Sequence, residues 1–479
     1  MNWEAVIGLE VHAQLQTASK IFCGCSTAFG AAPNAHVCPV CLGFPGALPV
    51  LNGVAVDYAI RTGLALGCRI NPTSIFARKN YFYPDLPKGY QISQYELPIA
   101  VSGAVEFMTA DGPRRVGITR AHMEEDAGKS LHEGFADSDR KTYLDYNRSG
   151  VPLVEIVTEP DLRSASDAAE FFTHLRAQLV WLGVNDGNME EGSLRCDANV
   201  SVRPAGTETL GTKAEVKNLN SFRFLQKAIE YEIERQVAVL EGGGRVVQET
   251  RLWDTAAGVT VSMRSKEEAH DYRYFPEPDL PPVRADHARV EAIRASMPEL
   301  PHVRRQRFVR DYRLPEYDAT QLTDSRAASD YFEATVRAGA PPKATSNFMM
   351  GDLARLLNER KIDIAQSPVS PIQLAGLLAL VDKGTISGAI AKQVFETMVV
   401  SGRTAAEIVE AGGLTQIDDE SAIVALIQGV LAANADAVTT YRAGKTTTFG
   451  FLVGQVMKQA AGKANPKRVN DLLKRALEA

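Results

Sequence analysis

The sequence predicts an α+β fold, with a mixed or antiparallel sheet in the first half and helices in the C-terminal third. In residues 7–15 and 195–203 apolar and polar side chains alternate, which is typical of half-buried strands with one polar face. From about residue 286 onward, apolar residues recur three and four positions apart, as they do in helices. Because one strand face is polar, an antiparallel sheet is favoured over a parallel one.

The sequence predicts further helices and strands elsewhere along the chain. Helical patterns occupy residues 55–66, 165–182 and 222–240, and shorter strand patterns occupy residues 151–157 and 214–217. A proline-rich stretch at residues 275–282 ends the strand-rich region. In the helical part, the pattern of apolar residues and turns predicts two small bundles with a boundary near Gly402.

Length and composition indicate several domains and no membrane segment. The chain has 479 residues, which predicts two to four domains, and its 45% hydrophobic and 23% charged residues are usual for soluble proteins. No apolar run approaches the roughly 20 residues that a membrane helix needs. Residues 1–4 lack the basic and apolar start of a signal peptide, so we expect a cytoplasmic protein with no membrane partner.

The distribution of charge leaves nucleic-acid binding open. A net charge of −6 argues against a wholly basic nucleic-acid binder. The stretch that begins at Arg442 is nevertheless locally cationic, with Lys445, Lys458, Lys463, Lys467, Arg468, Lys474 and Arg475. A solvated helix face would explain these charges equally well.

Four of the six cysteines lie in one short N-terminal window. Cys23 and Cys25 are followed, after twelve residues, by Cys38 and Cys41. Four thiolates suit tetrahedral Zn²⁺, and a closed shell of four is typical of a structural site. His36 is an alternative ligand, and four ordinary cysteines or a redox pair are the competing interpretations.

A second group of residues is rich in carboxylates. Glu10 and His12 share the polar face of the first predicted strand, about 7 Å apart, so that they can bind one metal ion. Strand alternation does not choose between Glu124 and Glu125. The other members of this group are Glu155, Asp197, Asn199, Glu215 and Lys217. Oxygen-rich groups suit Mg²⁺, which commonly bridges the phosphates of ATP, although a lone strand carboxylate is usually a solvated surface group.

No phosphate-binding loop accounts for nucleotide binding. The upstream glycine that such a loop requires is absent before both Lys129 and Lys445. The segment 79–90, which begins with Lys79, interleaves aromatic and basic residues beside prolines and could stack a base or cover a pocket. A packed loop anchored to the core is the equally weighted alternative.

The chain resembles a known family, the B subunits of glutamyl/aspartyl-tRNA amidotransferases. The matching segments span nearly the whole chain: IGLEVH (7–12), RKNYFYPD (78–85), HMEEDAGK (122–129), EGSLRCDAN (191–199), KNLNSF (217–222), DYRYFPEPD (271–279) and GFLVGQVMK (450–458). These motifs are long and specific.

The resemblance implies a division into three domains. Residues 1–293 would form the cradle domain, similar in fold to glutamine synthetase, with a zinc knuckle at about residues 20–45. Residues 294–402 would form a helical domain. Residues 403–479 would form a tail domain similar to the YqeY proteins, in which the family contacts tRNA. This implies tRNA contacts for Lys445, Lys458, Lys463, Lys467 and Arg468.

The resemblance also implies a two-step reaction. The side-chain carboxylate of glutamate on tRNA(Gln), or of aspartate on tRNA(Asn), attacks the γ-phosphate of ATP, and ammonia then displaces the phosphate. Catalytic roles are expected for Glu10, His12, Glu125, Glu155 and Lys79, and nucleotide contacts for Asp197, Asn199, Glu215 and Lys217. Glu10, His12, Glu125 and Glu155 would bind Mg²⁺, with Glu124 as the alternate.

Partners are implied as well. In the family an amidase, the A subunit, supplies ammonia, and a small C subunit braces the pair, so a heterotrimer is expected; an aminoacyl-tRNA synthetase is a further expected partner. Two other functions stay open from the residues: a glutamine-synthetase-type enzyme acting on free glutamate, and a zinc-containing tRNA-binding or assembly protein without catalysis. The sequence does not distinguish the two tRNA substrates.

Overall fold

The computed structural model describes residues 2–109, 111–135, 137–265, 269–415, 419–443, 445–460 and 463–478. The chain divides into two compact units, residues 1–300 and 301–479. Among the described residues, the first unit contains the strands, four α-helices and the short 3₁₀ helix Ala269–Tyr272, and the second unit is helical. This is the α+β organisation that the sequence predicts.

The first unit is built from strands and helices with the following bounds. The strands are β1 Trp3–Gln14, β2 Arg69–Ile70, β3 Thr73–Ser74, β4 Phe76–Asn80, β5 Tyr90–Gln94, β6 Ala100–Thr109, β7 Gly112–Glu125, β8 Lys129–Leu131, β9 Tyr143–Asp145, β10 Pro152–Thr158, β11 Leu194–Pro204, β12 Ala214–Lys217, β13 Glu249–Asp254, β14 Val259–Ser265, β15 Phe275–Pro276 and β16 Val283–Arg284. The helices are α1 Gly53–Ala65, α2 Ala165–Trp181, α3 Phe222–Glu241 and α4 His287–Ser296.

Most of these strands form one large mixed sheet. Its order is β14-β13-β12-β11-β1-β10-β7-β5-β4-β15, and β6 pairs with both β7 and β2. Within the described residues, β12 and β13 are parallel and the other pairs are antiparallel. The two longest predicted strand patterns, residues 7–15 and 195–203, are the neighbours β1 and β11 near the middle of the sheet.

One face of the sheet is apolar and the other is polar. In β1 the side chains of Ile7, Leu9 and Val11 are buried, as the alternation predicts, because successive side chains of a strand point to opposite faces. They belong to one core with residues of α1, α2 and α3, which cover that face. The opposite face carries Glu10 and His12 and remains available for chemistry.

The helices that cover the sheet begin at capping residues. The side-chain oxygens of Ser164 and Ser221 accept hydrogen bonds from the third residue beyond each of them, at the starts of α2 and α3. Asp286 caps α4 in the same way, at the position where the sequence pattern changes to helical. The starts of these helices are therefore set locally by sequence.

The second unit contains two separate hydrophobic cores. Its helices are α5 Pro301–Tyr312, α6 Glu316–Leu322, α7 Arg326–Arg337, α8 Pro342–Phe348, α9 Ala354–Arg360, α10 Pro371–Asp382, α11 Gly388–Ser401, α12 Ala405–Gly412, α13 Glu420–Ala433, α14 Ala435–Arg442, α15 Thr448–Gln459 and α16 Pro466–Glu478. One core runs from Phe308 to Val409, and the other from Ile423 to Leu477. Gly402, the residue after α11, has a left-handed backbone conformation. α12 follows it and still packs in the core that runs from Phe308 to Val409.

Among the described residues, no single helix has the length and apolar character to cross a membrane. Taken together, and by length and composition alone, the bent pair α13 and α14 would meet the requirements of a membrane-spanning segment.

Candidate active site

The polar face of the sheet brings residues from three neighbouring strands together. His12 of β1 is opposite Glu155 of β10, which is in turn opposite His122 of β7. Glu124 lies two residues beyond His122 and therefore on the same face. Strand register alone thus assembles two imidazoles and two carboxylates at one place.

Three of these groups form a cluster suited to a metal ion. The Nε2 atom of His12 lies 3.3 Å from Oε2 of Glu155 and 3.8 Å from Oε1 of Glu124. One ligand atom from each of the three residues lies within 4.8 Å of the other two. Two carboxylates and one imidazole at this spacing can bind a divalent cation.

The electrostatics of the cluster favour charge on His12 and Glu155. Burial alone would lower the pKa of His12, but the hydrogen bond and charge of Glu155 and the charge of Glu124 raise it to about 9. Burial would raise the pKa of Glu155, yet His122, His12 and Lys79 hold it well below its usual range. In the metal-free protein, the protonated His12 therefore supplies the positive charge that a bound cation would otherwise provide.

His122 lies beside the same two carboxylates. Its Nε2 atom is 3.5 Å from Oε2 of Glu155 and 3.8 Å from Oε2 of Glu124, and the side chain is buried. Nε of Arg120 lies 3.3 Å from Nδ1 of His122 and donates to it. The imidazole therefore orients the carboxylates, which is a common role for groups behind metal ligands.

The cluster lies in a cavity of about 360 Å³ with an aromatic rim. Lys79 reaches into it from β4, with its Nζ atom 4.8 Å from the ring centroid of Tyr272 and 5.7 Å from that of Tyr81. Burial would lower the pKa of Lys79, but the oxygen of Tyr274 and the carboxylates of Glu124 and Glu155 raise it. The lysine is thus a half-buried cation beside the acidic cluster.

The remaining strand residues lie on the β11–β12 side of this cavity. Glu10 accepts a hydrogen bond of 2.8 Å from Asn199. Lys217 donates to Asp197 at 2.5 Å and lies 3.3 Å from Glu215. Glu10, Glu215 and Lys217 line the cavity itself, while Asp197 and Asn199 contact those residues from the neighbouring strand positions.

Glu125 is placed apart from the cluster. It follows Glu124 in β7, so its side chain points away from the cavity. There it pairs with Lys88 and accepts a 2.8 Å hydrogen bond from the backbone N–H of Ile92. Of the two adjacent carboxylates that alternation could not separate, the geometry puts Glu124 beside His12 and Glu155.

The four clustered cysteines come together, although no disulfide joins them. The hydrogen bond with Cys23 lowers the pKa of the Cys41 thiol well below its usual range, aided by the Cys38 amide and the charge of Lys20. The buried Lys20 ammonium lies 3.6 Å from the Cys41 sulfur. Four sulfurs with a cation beside them fit Zn²⁺, and within the described residues His36 is not in this group.

The five C-terminal cations lie in the second unit, in the region of the last core. Lys445, Lys458, Lys467 and Arg468 are exposed. Lys463 is half-buried and donates to the carbonyl of Gly413 at 2.8 Å. Four of the five are therefore accessible to a polyanion.

Several residues of the cavity have no individual role predicted from the sequence. His122 stands in a quoted motif, and its alternation with Glu124 is the signal that could have found it. The tyrosines of the rim, Tyr81, Tyr83, Tyr95, Tyr272 and Tyr274, come from three separate segments, so only the fold brings them together. A larger cavity of about 600 Å³ lies beyond Gln14 on β1, but neither of the two potential metal-binding clusters among the described residues lies in it.

Comparison with known proteins identifies the family. The model of the GatB/GatE catalytic domain matches residues 5–291, and that of the GatB domain matches residues 330–477. The chain is 58% identical over 479 residues to the B subunit of the aspartyl/glutamyl-tRNA(Asn/Gln) amidotransferase of Moorella thermoacetica, covering 100% of both chains. Proteins of the same name from Trichlorobacter lovleyi and Thermodesulfovibrio yellowstonii are 57% and 56% identical, again over 100% of both chains. The chain therefore belongs to the family of aspartyl/glutamyl-tRNA(Asn/Gln) amidotransferase B subunits.

Proposed function

We propose that this chain is the component of a tRNA-dependent amidotransferase that activates and amidates the misacylated amino acid. It uses ATP to phosphorylate the side-chain carboxylate of Glu-tRNA(Gln) or Asp-tRNA(Asn), and ammonia then gives Gln-tRNA(Gln) or Asn-tRNA(Asn). The reaction makes it an ATP-dependent ligase of protein biosynthesis. The observation that carries this proposal is the cluster of His12, Glu124 and Glu155 beside Lys79.

The cluster fits Mg²⁺ as the phosphate-binding ion. Mg²⁺ is commonly held by one or two carboxylates together with substrate phosphates, and the cluster offers two carboxylates and an imidazole. When bound, Mg²⁺ neutralises negative charge that develops on the transferred phosphate. We assign His12, Glu124 and Glu155 as its ligands, with Glu10 at the edge of the same cavity.

In the first step, an oxygen of the substrate carboxylate forms a bond to the γ-phosphorus, and the bond between that phosphorus and the leaving ADP oxygen breaks. The carboxylate is a poor electrophile before this step and an activated acyl phosphate after it. Lys79 and Lys217 line the cavity and are positioned to bind phosphate or carboxylate oxygens. Asp197, Asn199 and Glu215 hold Glu10 and Lys217 in place for nucleotide binding.

In the second step, ammonia attacks the acyl carbon, phosphate leaves, and a proton is lost from nitrogen. The acidic side chains of the cavity, Glu10 and Glu215 among them, can accept that proton. The chain has no recognised glutaminase signature, so we assign ammonia supply to an amidase partner, the A subunit of the complex. A small C subunit completes the proposed heterotrimer.

The other parts of the chain receive structural and tRNA-binding roles. We propose that the catalytic cradle runs to the end of the first unit at residue 300, that the helical domain continues through α12, and that the tail follows α12, so that the expected boundaries at residues 293 and 402 move beyond α4 and α12. Cys23, Cys25, Cys38 and Cys41 would hold a structural Zn²⁺ ion. The exposed cations of the tail would bind tRNA phosphates, and an aminoacyl-tRNA synthetase would deliver the tRNA in the cytoplasm.

The proposal is tested by ATP turnover with alternative substrates. The chain assembled with its amidase and small partners should hydrolyse ATP when Glu-tRNA(Gln) or Asp-tRNA(Asn) is added, and the more effective tRNA identifies the substrate. Stimulation by free glutamate would instead favour a glutamine-synthetase-type enzyme. No turnover with any substrate would leave a binding protein without catalysis.

A matched pair of variants links that turnover to the cluster. His12→Ala should abolish tRNA-stimulated ATP turnover, whereas Glu106→Ala, at an exposed position of β6, should retain it. Equal turnover in both variants would remove the cluster from the mechanism, even if the tRNA-dependent reaction itself were observed.

A further inference from the structure

The segment 272–276 has no part in the metal cluster, yet it closes one side of the cavity. Its last two residues form β15, in which Phe275 is opposite Arg78 and Pro276 is opposite Ala77 of β4. The backbone N–H of Glu277 then donates to the carbonyl of Phe76 at 2.8 Å. The segment is therefore fixed along the edge of the catalytic sheet.

The turn before β15 has an unusual backbone conformation. Arg273 has a φ of +47°, in the left-handed region that non-glycine residues seldom adopt. The side-chain amide of Asn80 donates to the carbonyls of Tyr272 and Arg273 at 3.1 and 2.8 Å. This clamp holds the turn so that both Tyr272 and Tyr274 line the catalytic cavity.

Tyr274 and Tyr95 form a partition between two compartments. Their rings are nearly parallel, at 8°, with centroids 4.3 Å apart. Both residues line the catalytic cavity and also a second compartment of about 410 Å³. That volume lies within the range of about 300–1,000 Å³ that is usual for ligand sites.

The second compartment lies on the same face of the sheet as the metal cluster. Ala77, which lines it, and Lys79, which lines the catalytic cavity, are two residues apart on β4, so about 7 Å separates them along one face. A ligand in the second compartment could therefore extend a reactive group toward the cluster.

The walls of this compartment are largely apolar and uncovered. Tyr95, Leu97 and Phe275 are 37%, 43% and 44% exposed, although large apolar side chains that cluster are usually covered. Ile75 adds an aliphatic wall, the exposed Arg273 adds a cation, and the exposed Glu96 adds a carboxylate that can accept from ribose hydroxyls. Flat rings beside a cation suit a planar heterocycle that carries a phosphate or ribose.

We propose that the second compartment binds the adenosine part of a substrate whose reacting end lies at the metal cluster. The inference rests on the proposed function, because both substrates of that reaction carry adenosine: ATP at its base, and aminoacyl-tRNA at its 3′ end. The Tyr95–Tyr274 pair provides the aromatic face against which adenine stacks. The strained turn at Arg273 keeps that face in position.

The test compares two replacements of Tyr95 in the full chain. Tyr95→Leu retains an apolar side chain but removes the ring, and Tyr95→Phe retains the ring but removes the hydroxyl. Tyr317→Leu, which replaces a 69% exposed tyrosine of the second unit, is the control. Thermal unfolding of each variant confirms that it is folded.

Two titrations distinguish the two sources of adenosine. One uses the magnesium complexes of adenylyl imidodiphosphate and of tripolyphosphate, which lacks the nucleoside, and the other uses a tRNA with and without its 3′-terminal adenosine. Tyr95→Leu should weaken the binding of either the adenylyl compound or the intact tRNA by about tenfold, which is within the range measured for base–aromatic stacking. Binding of tripolyphosphate and of the shortened tRNA should change less, and Tyr95→Phe and Tyr317→Leu should match the wild type.

Each outcome decides the inference. If only the adenylyl compound loses affinity, the compartment is assigned to ATP. If only the intact tRNA loses affinity, it is assigned to the 3′ end of the tRNA. No loss with Tyr95→Leu, or an equal loss with Tyr95→Phe, overturns the inference. If that occurs while the wild-type complex still amidates tRNA, the proposed function stands and the adenosine site alone is refuted; an inactive wild type refutes the proposed function instead.

Discussion

Replacing Glu155 with glutamine should lower the pKa of His12 in the metal-free protein. The charge of Glu155 lies 3.3 Å from Nε2 of His12. At that distance, two unit charges attract by about 5 kcal/mol at an effective dielectric constant of about 20. The pKa of His12 is raised from 6.5 to about 9, a net stabilisation of its charged form by about 3 kcal/mol, so Glu155 accounts for most of the increase.

We therefore expect the pKa of His12 to fall well below 9 in Glu155→Gln, because burial and the charge of Arg195 then oppose the charge of Glu124 alone. The measurement is an NMR titration of histidine-labelled protein, with His12→Gln identifying the resonance. Added Mg²⁺ should lower the same pKa in the wild type, since metal and proton compete for one nitrogen. A pKa that stays near 9 in Glu155→Gln would refute this account of the cluster.

Four further outcomes are expected. Glu124→Gln should raise the Mg²⁺ concentration for half-maximal turnover by about tenfold or more, whereas Glu125→Gln should not; equal effects would contradict the assigned ligands. Cys38→Ser should reduce bound zinc, measured by elemental analysis, from about one per chain to near zero; undiminished zinc would exclude the four-sulfur site. Lys467→Glu should weaken tRNA binding and reduce the salt slope by about one, and an unchanged slope would exclude a phosphate contact there. The raised pKa of His12 should stabilise the metal-free fold below pH 6.5 by up to about 3 kcal/mol, an effect lost as pH rises to about 9 and absent in His12→Gln when unfolding is followed with urea.

The strands and helices of the first unit could be predicted because their signals are local. Alternation over residues 7–15 and 195–203 is confirmed by β1 and β11, and the strand predicted at residues 214–217 is β12. The helices at residues 165–182 and 222–240 are confirmed to within one residue at each end, since serine caps mark their starts.

The candidate site could be predicted only in part. Alternation placed Glu10 and His12 on one polar face, because that relation lies within a single strand. The choice between Glu124 and Glu125 depends on how β7 and β10 are aligned, and that register is a long-range property. The stacking of Tyr95 on Tyr274 has no signal in the sequence for the same reason, because the two residues are 179 positions apart (274 minus 95).

We infer that His12, Glu124 and Glu155 bind the divalent ion of phosphoryl transfer. Mn²⁺ can replace Mg²⁺ in the full chain, and pulsed electron paramagnetic resonance then reports nitrogen bound to the metal. We expect a coupling to one histidine nitrogen that disappears in His12→Ala and persists in His122→Ala. A coupling that persists in His12→Ala, or no nitrogen coupling in the wild type, would contradict it.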